Sequence, residues 1–249
     1  MKLLTDKNAV VYGAGGSMGG AIARAFAREG AQVFLVGRTL QKLDRVARDI
    51  IDAGGTAETA QLDAHDPETV EAHLNEVVAK AGSIDVSLNA INLHEVQGVP
   101  LVDMALPDFL TPITEAARTH FVTSTAAARR MTSQGTGVIV MLSSSAARES
   151  GPLMGGFSLA CAAVECLTRS LAGEVGRHGV RVVALRPNFT PETAPDVAVD
   201  DIQYLIDGTA LRRLPRLAEV ADTAAFVASH HAGAMTGSVV NLTCGAIVD

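Results

Sequence analysis

Cysteine is scarce in this sequence. There are three, an odd number with no Cys-x-x-Cys pair, so neither a disulfide framework nor a thiolate metal site is expected. Cys161 and Cys166 lie five residues apart on one predicted helix, a poor geometry for a disulfide. Reduced thiols fit a cytoplasmic protein. Clustered positive charge is also missing. The net charge is -7 and no basic run occurs, which argues against a nucleic-acid partner. No uncharged stretch approaches the roughly 18 residues that a membrane helix needs. The segment Met1 to Lys7 is short and polar, so no signal peptide is expected. His230 and His231 have no partner ligands in sequence, and no metal site is read. Tyrosine, a common proton donor, occurs only twice, at Tyr12 and Tyr204.

What is present is apolar and periodic. Hydrophobic residues make up 48% of 249 positions, enough for one substantial core, and no repeat, linker or composition break divides the chain. A single domain over residues 1–249 is expected. Strand-like runs at Ala9–Tyr12, Val33–Val36, Thr56–Leu62, Ile84–Leu88, Val138–Leu142, Val180–Leu185 and Ser238–Leu242 alternate with helix-period segments. That alternation predicts an α/β, doubly wound Rossmann fold, with a seven-stranded parallel sheet flanked by helices on both faces. Thr56–Leu62 mixes Thr, Glu and Gln into its pattern, which suits a sheet edge.

Helices are predicted at about 39–53, 67–80, 114–133, 155–176, 201–208 and 217–229, besides the one that opens after Tyr12. The segment 155–176 is apolar almost all round, interrupted only by Glu165, Arg169 and Glu174. Such a helix must be covered on more than one side, which points to a subunit interface.

Gly13-Ala14-Gly15-Gly16-Ser17-Met18-Gly19 joins the first strand to the first helix. Glycines there permit positive φ and close approach of a pyrophosphate, whose charge the helix N-terminus stabilises. A tight turn without a ligand is the other reading of a glycine cluster. Its position in an N-terminal βαβ unit favours the dinucleotide. The second strand ends Val36-Gly37-Arg38-Thr39, without the carboxylate that bonds the ribose 2′-hydroxyl of NAD. Arg38 suits a 2′-phosphate instead, so NADP is favoured over NAD; a solvated Arg opening a helix is the alternative.

With these features on view, nearly the whole chain resembles the short-chain dehydrogenase/reductase family at its ordinary length. Gly13, Ser17 and Gly19 occupy the family's three glycine positions. Gly16 restores a Gly-x-x-Gly-x-x-Gly spacing, and Tyr12 stands where the family usually has Thr. The resemblance implies that Gly13, Gly16, Ser17, Met18 and Gly19 hold the pyrophosphate. It implies adenine contact at Asp63 and Ala64, and cofactor contact at Asn89 and Pro187, with Asn188 replacing the family's Gly.

The family's catalytic residues are Ser, then Tyr thirteen further on, then Lys after four more. The Tyr hydroxyl protonates the carbonyl oxygen, while Lys lowers the Tyr pKa and holds the ribose. Aligning Val138–Ser144 with the family's strand and double serine puts that Ser at Ser144, Tyr at Phe157 and Lys at Cys161. The family's catalytic Asn falls at Ala116. Only Ser144 survives. Phe157 has no proton to give and reads as an apolar wall; Cys161 reads as a packed thiol, with an acid or nucleophile as the alternative. Tyr204, His94 and His120 are substitute donors to weigh, against surface tyrosine, loop histidine and helix packing respectively.

The resemblance implies an NADP-dependent oxidoreductase with a non-standard site. It would reduce an activated C=O, C=N or C=C bond of a small molecule, with a substrate loop at about 187–214. A catalytically silent NADP-binding protein and a non-redox catalyst on the same fold remain alternatives. The expected assembly is a dimer or homotetramer through the helices at about 114–133 and 155–176.

Overall fold

The computed structural model describes residues 2–248 except 150 and 152. Seven parallel strands form one sheet in the order β3-β2-β1-β4-β5-β6-β7. They are β1 Asn8–Tyr12, β2 Gln32–Gly37, β3 Thr56–Gln61, β4 Val86–Asn89, β5 Gly137–Leu142, β6 Val180–Pro187 and β7 Ser238–Leu242. The helices are α1 Ser17–Arg28, α2 Leu40–Asp52, α3 Pro67–Ala81, α4 Leu106–Gln134, α5 Gly156–Val175, α6 Val199–Asp207 and α7 Leu217–Ala228. Doubly wound topology is thus as the alternating pattern predicts.

The strands divide two cores between them. Val11, Val33 and Leu35 point to the layer holding Ile22 and Phe26 of α1, Leu43 of α2 and Val227 of α7. Val10, Phe34 and Ile139 point to the other, with Leu74 of α3, Met131 of α4 and Val164 of α5. Every residue of β1 is buried, because a central parallel strand is covered on both faces. No residue of β3 is fully buried, as its mixed sequence and edge position require.

Strand order reverses between β1 and β4, which pair Ala9 with Val86 and Tyr12 with Asn89. The carboxyl ends of the strands on either side of this switch open the crevice in which such sheets bind ligands.

One helix departs from expectation. α4 begins at Leu106, eight residues before the predicted 114. Pro107 lies in its first turn, where the missing N–H would have no intrahelical partner anyway. Pro112 lies inside the helix and is buried. Read locally, two prolines in six residues signal a break; here packing against α5 overrides it. A Cβ on Gly156 would lie 1.9 Å from the Phe109 carbonyl oxygen, so the early turns of α4 touch the start of α5.

Candidate active site

The glycine turn is built by mutual contact. Gly13 has φ +74°, and a Cβ there would sit 2.4 Å from the Ala90 carbonyl oxygen. A Cβ on Gly19 would sit 2.4 Å from the Gly13 carbonyl oxygen. Neither position admits a side chain, so the turn lies directly on the end of β4. Outward, Gly16 and Ser17 are exposed. The N-cap residue of α1, Gly16, supplies no side-chain hydrogen bond, and the first turn has no acid. The leading amides of α1, Ser17, Met18 and Gly19, therefore keep their donors for an external acceptor. An uncapped helix start beside an exposed glycine fits a pyrophosphate.

At the end of β2, Arg38 is exposed, and its carbonyl accepts a hydrogen bond from Gln61 Nε2 at 2.9 Å. The next helix also starts uncapped: Thr39 caps α2 with no side-chain bond and no acid follows. Arg38 Nη2 lies 3.2 Å from His94 Nε2.

At the end of β3, Asp63 Oδ1 accepts from the His65 backbone N–H at 3.0 Å and faces His65 Nδ1 at 2.6 Å. The other ring nitrogen faces Glu115 Oε2 of α4 at 2.8 Å. The His65 backbone amide, then its ring, hold the Asp63 carboxyl below its usual range. Partial burial alone would lower the His65 pKa, but hydrogen bonds to the two carboxylates outweigh it and raise the ring. Ala64 is buried between these two residues.

At the end of β5, three serines divide their roles. Ser143 Oγ donates to Glu165 Oε1 at 2.9 Å and Ser145 Oγ donates to Asn188 Oδ1 at 3.2 Å; both serines are buried. Ser144 is only partly buried, and its Oγ accepts from the Ala146 amide at 3.4 Å. Of the three hydroxyls, that of Ser144 is the one with access to the crevice.

Phe157 stands in the first turn of α5, half-buried against the α3–α5 core. Cys161, one turn on, is 2% exposed. Burial first, then the nearby carboxylates of Glu95 and Glu165, push its thiol up to about 12, against a smaller opposing pull from the Ser144 backbone. It is a packed thiol held in its neutral form. Ala116 is fully buried.

Asn89 is buried, and both ends of its amide are engaged: Nδ2 donates to Thr123 Oγ1 at 3.1 Å and Oδ1 accepts from the Ile91 amide at 3.0 Å. Its side chain ties β4 to α4. Pro187 ends β6, in register with Leu242. Asn188 lies outside the left-handed backbone region, so an asparagine fits there without strain.

Glu95 and His65 carry no signal in the sequence reading. Glu95 follows His94 in the β4–α4 connection, which packs across the start of α5. Gly98 N–H donates to the Leu153 carbonyl at 2.9 Å, and a Cβ on Gly155 would be 2.9 Å from the Val96 carbonyl oxygen. Among the other candidates, Tyr204 is 70% exposed and Tyr12 is fully buried. His120 is buried with no partner at Nδ1 among the described residues, and burial lowers its pKa to about 4. No group of three His, Cys, Asp or Glu among the described residues is arranged to hold a metal. Among the described residues no helix is long and apolar enough to cross a membrane.

A Rossmann sheet with a glycine turn at its switch point and an uncapped helix behind it is the architecture of a dinucleotide-binding fold. The chain belongs to the short-chain dehydrogenase/reductase family: the family model described as enoyl-(acyl carrier protein) reductase matches residues 13–246. It is 32% identical over 245 residues to the short-chain reductase protein NovJ of Streptomyces niveus, covering 95% of this chain and 92% of that protein. It is 31% identical over 242 residues to the cis-4-hydroxycyclohexanecarboxylate dehydrogenase of Sinomonas cyclohexanicum, covering 96% of each. A 7α-hydroxysteroid dehydrogenase structure with NADH and 7-oxo glycochenodeoxycholic acid superposes with a TM-score of 0.87 at 26% identity, covering 99% of this chain and 96% of that one. A gluconate 5-dehydrogenase from Burkholderia cenocepacia J2315, in complex with NADP and tartrate, superposes with a TM-score of 0.89. At 24% identity, over 98% and 96% of the two chains, that likeness speaks for the fold.

Proposed function

We propose that this protein is an NADP-dependent oxidoreductase whose crevice is ordinary at the pyrophosphate and 2′-phosphate ends and altered at the nicotinamide end. The observation that carries the proposal is the uncapped start of α1 behind Gly13 and Gly16, with Arg38 exposed at the end of β2 and its guanidinium set against His94. Gly16, Ser17, Met18 and Gly19 would hold the pyrophosphate by backbone donors, Arg38 the 2′-phosphate, and Asp63 with Ala64 the adenine edge. Asn89 and Pro187 shape the floor. NAD, which lacks the 2′-phosphate, is the weaker ligand.

When bound, NADPH supplies hydride. Ser144 donates a hydrogen bond to the substrate heteroatom, and Phe157 presents an apolar wall that excludes water from one side. Phe157 has no proton to give and Cys161 is buried and neutral, so neither of these two positions delivers a proton. Substrates whose acceptor atom develops little negative charge suit such a site: an iminium, or an activated enone or carbonyl. The segment 187–214 forms the substrate wall. Phe121 of α4 and Leu159 of α5, 57% and 50% exposed, support a dimer or tetramer through these two helices.

Phe157 and Cys161 also favour a second reading, a protein that binds NADP without turning over or uses the pocket for non-redox chemistry. A panel of imines, enones and ketones with NADPH separates the two. Oxidation of NADPH with an imine or enone supports the reductase; tight binding without oxidation across the panel supports the second reading.

A further inference from the structure

The contact between Arg38 and His94 crosses the mouth of the crevice, from the end of β2 over β1 to the connection after β4. The backbone is held at both ends. The Arg38 carbonyl is held by Gln61. His94 has φ +54°, and its amide donates to Asn92 Oδ1 at 2.7 Å. A non-glycine residue in that region is strained unless local contacts hold it, and here an Asx turn does so. A guanidinium has donors only, so His94 Nε2 is the acceptor in this contact. Arg38 faces the ring; Glu95 is its neighbour in the chain, with a carboxylate that acts on Cys161, and the Asp63 carboxylate feels the Arg38 charge. Asp63 is already engaged by His65, and Arg38 makes no ion pair among the described residues.

We propose that His94 is the second residue, with Arg38, that recognises the 2′-phosphate of NADP, and that it takes up a proton from solvent as the phosphate arrives. The inference rests on the reading of this crevice as an NADP seat. A phosphate dianion next to the Arg38 guanidinium turns its partner ring from acceptor to donor. The imidazole gains one proton, a second charge-assisted hydrogen bond forms, and no other bond changes. Preference for NADP over NAD then depends on pH, because histidine is the side chain that changes charge across neutrality. The free phosphate itself gains a proton near pH 6, which weakens binding at low pH. His94 counteracts that loss.

The test is fluorescence titration of the purified full chain with NADPH and NADH at pH 6 and pH 8.5, for the wild type and His94→Gln. Proton uptake is measured by calorimetry in two buffers of different ionisation enthalpy. NADPH affinity of the wild type should exceed that of His94→Gln by about tenfold at pH 6 and converge at pH 8.5. NADH affinity should be the same for both, and the wild type should take up more protons on binding NADPH than the variant does, since release from the phosphate is common to both. NADPH binding with equal affinity in both proteins at both pH values, or with equal net proton uptake in both, overturns the role of His94 alone. Failure of the wild type to bind NADPH overturns the NADP seat and the inference with it.

Discussion

Gly19 faces the carbonyl of Gly13 so closely that one added methyl group would lie 2.4 Å from that oxygen. The start of α1 and the end of β1 are thereby locked, and the open amides of the helix are aimed by that lock. Gly19→Ala should lose NADPH binding and about 1–3 kcal/mol of stability, read as a fall in Tm. Gly16 is different: a Cβ there meets only the Gly13 carbonyl at 3.4 Å. Gly16→Ala should keep its Tm within about 2 °C while NADPH affinity falls severalfold. Equal loss of stability in both variants would show that Gly16 serves the fold and not a ligand.

The Glu165 carboxylate accepts from Arg186 Nε at 2.7 Å and Nη2 at 2.8 Å, with both side chains almost wholly buried. Removing the carboxylate breaks both bonds of this buried pair, so Glu165→Ala should cost about 1.5–3 kcal/mol in denaturant unfolding. Ser143 shares that carboxylate, so the variant should also loosen the serine segment beneath the crevice.

Phe157→Tyr with Cys161→Lys restores the family's proton donor and its cation. Ketone reduction with NADPH should rise at least about tenfold over the wild type. A folded, NADPH-binding double variant with no gain would mean that the buried Ala116 and the β4–α4 connection bar the reaction as well.

Two histidines give opposite pH slopes. The folded-state pKa of His65 is raised, so its contribution is fully present below its ordinary value of 6.5 and is lost as pH rises through the folded value. His65→Gln should remove about 0.5–1 kcal/mol at pH 6 and flatten the alkaline side of the Tm curve. The folded-state pKa of His120 is depressed to about 4, so stability falls as pH drops from 6.5 toward 4, by about 3 kcal/mol at the low end. His120→Leu should flatten that acid limb. A variant that keeps the wild-type slope would contradict the assignment for its own residue.

Strand periodicity was enough to place all seven strands within about two residues, because each buried strand is a short apolar run and the edge strand is visibly mixed. Packing decided what local signals could not. Pro107 and Pro112 argue for a late start to α4, yet its early turns are helical against α5. Glu165 reads as an interruption in an apolar helix, but it is buried against Arg186, twenty-one residues away. At the site, glycine spacing points to the turn. The contacts of Arg38 with His94 and of His65 with Glu115 span 56 and 50 residues, and no periodicity encodes such pairs. Cys161 illustrates the reverse case, where an apolar helical context alone indicates a buried, inert thiol.

The most direct test of the central claim is equilibrium titration of the wild-type chain with NADPH and NADH at neutral pH and moderate salt. Saturable binding of one NADPH per chain, at least about tenfold tighter than NADH, is the predicted result. Binding of neither nucleotide, or tighter binding of NADH, would contradict it.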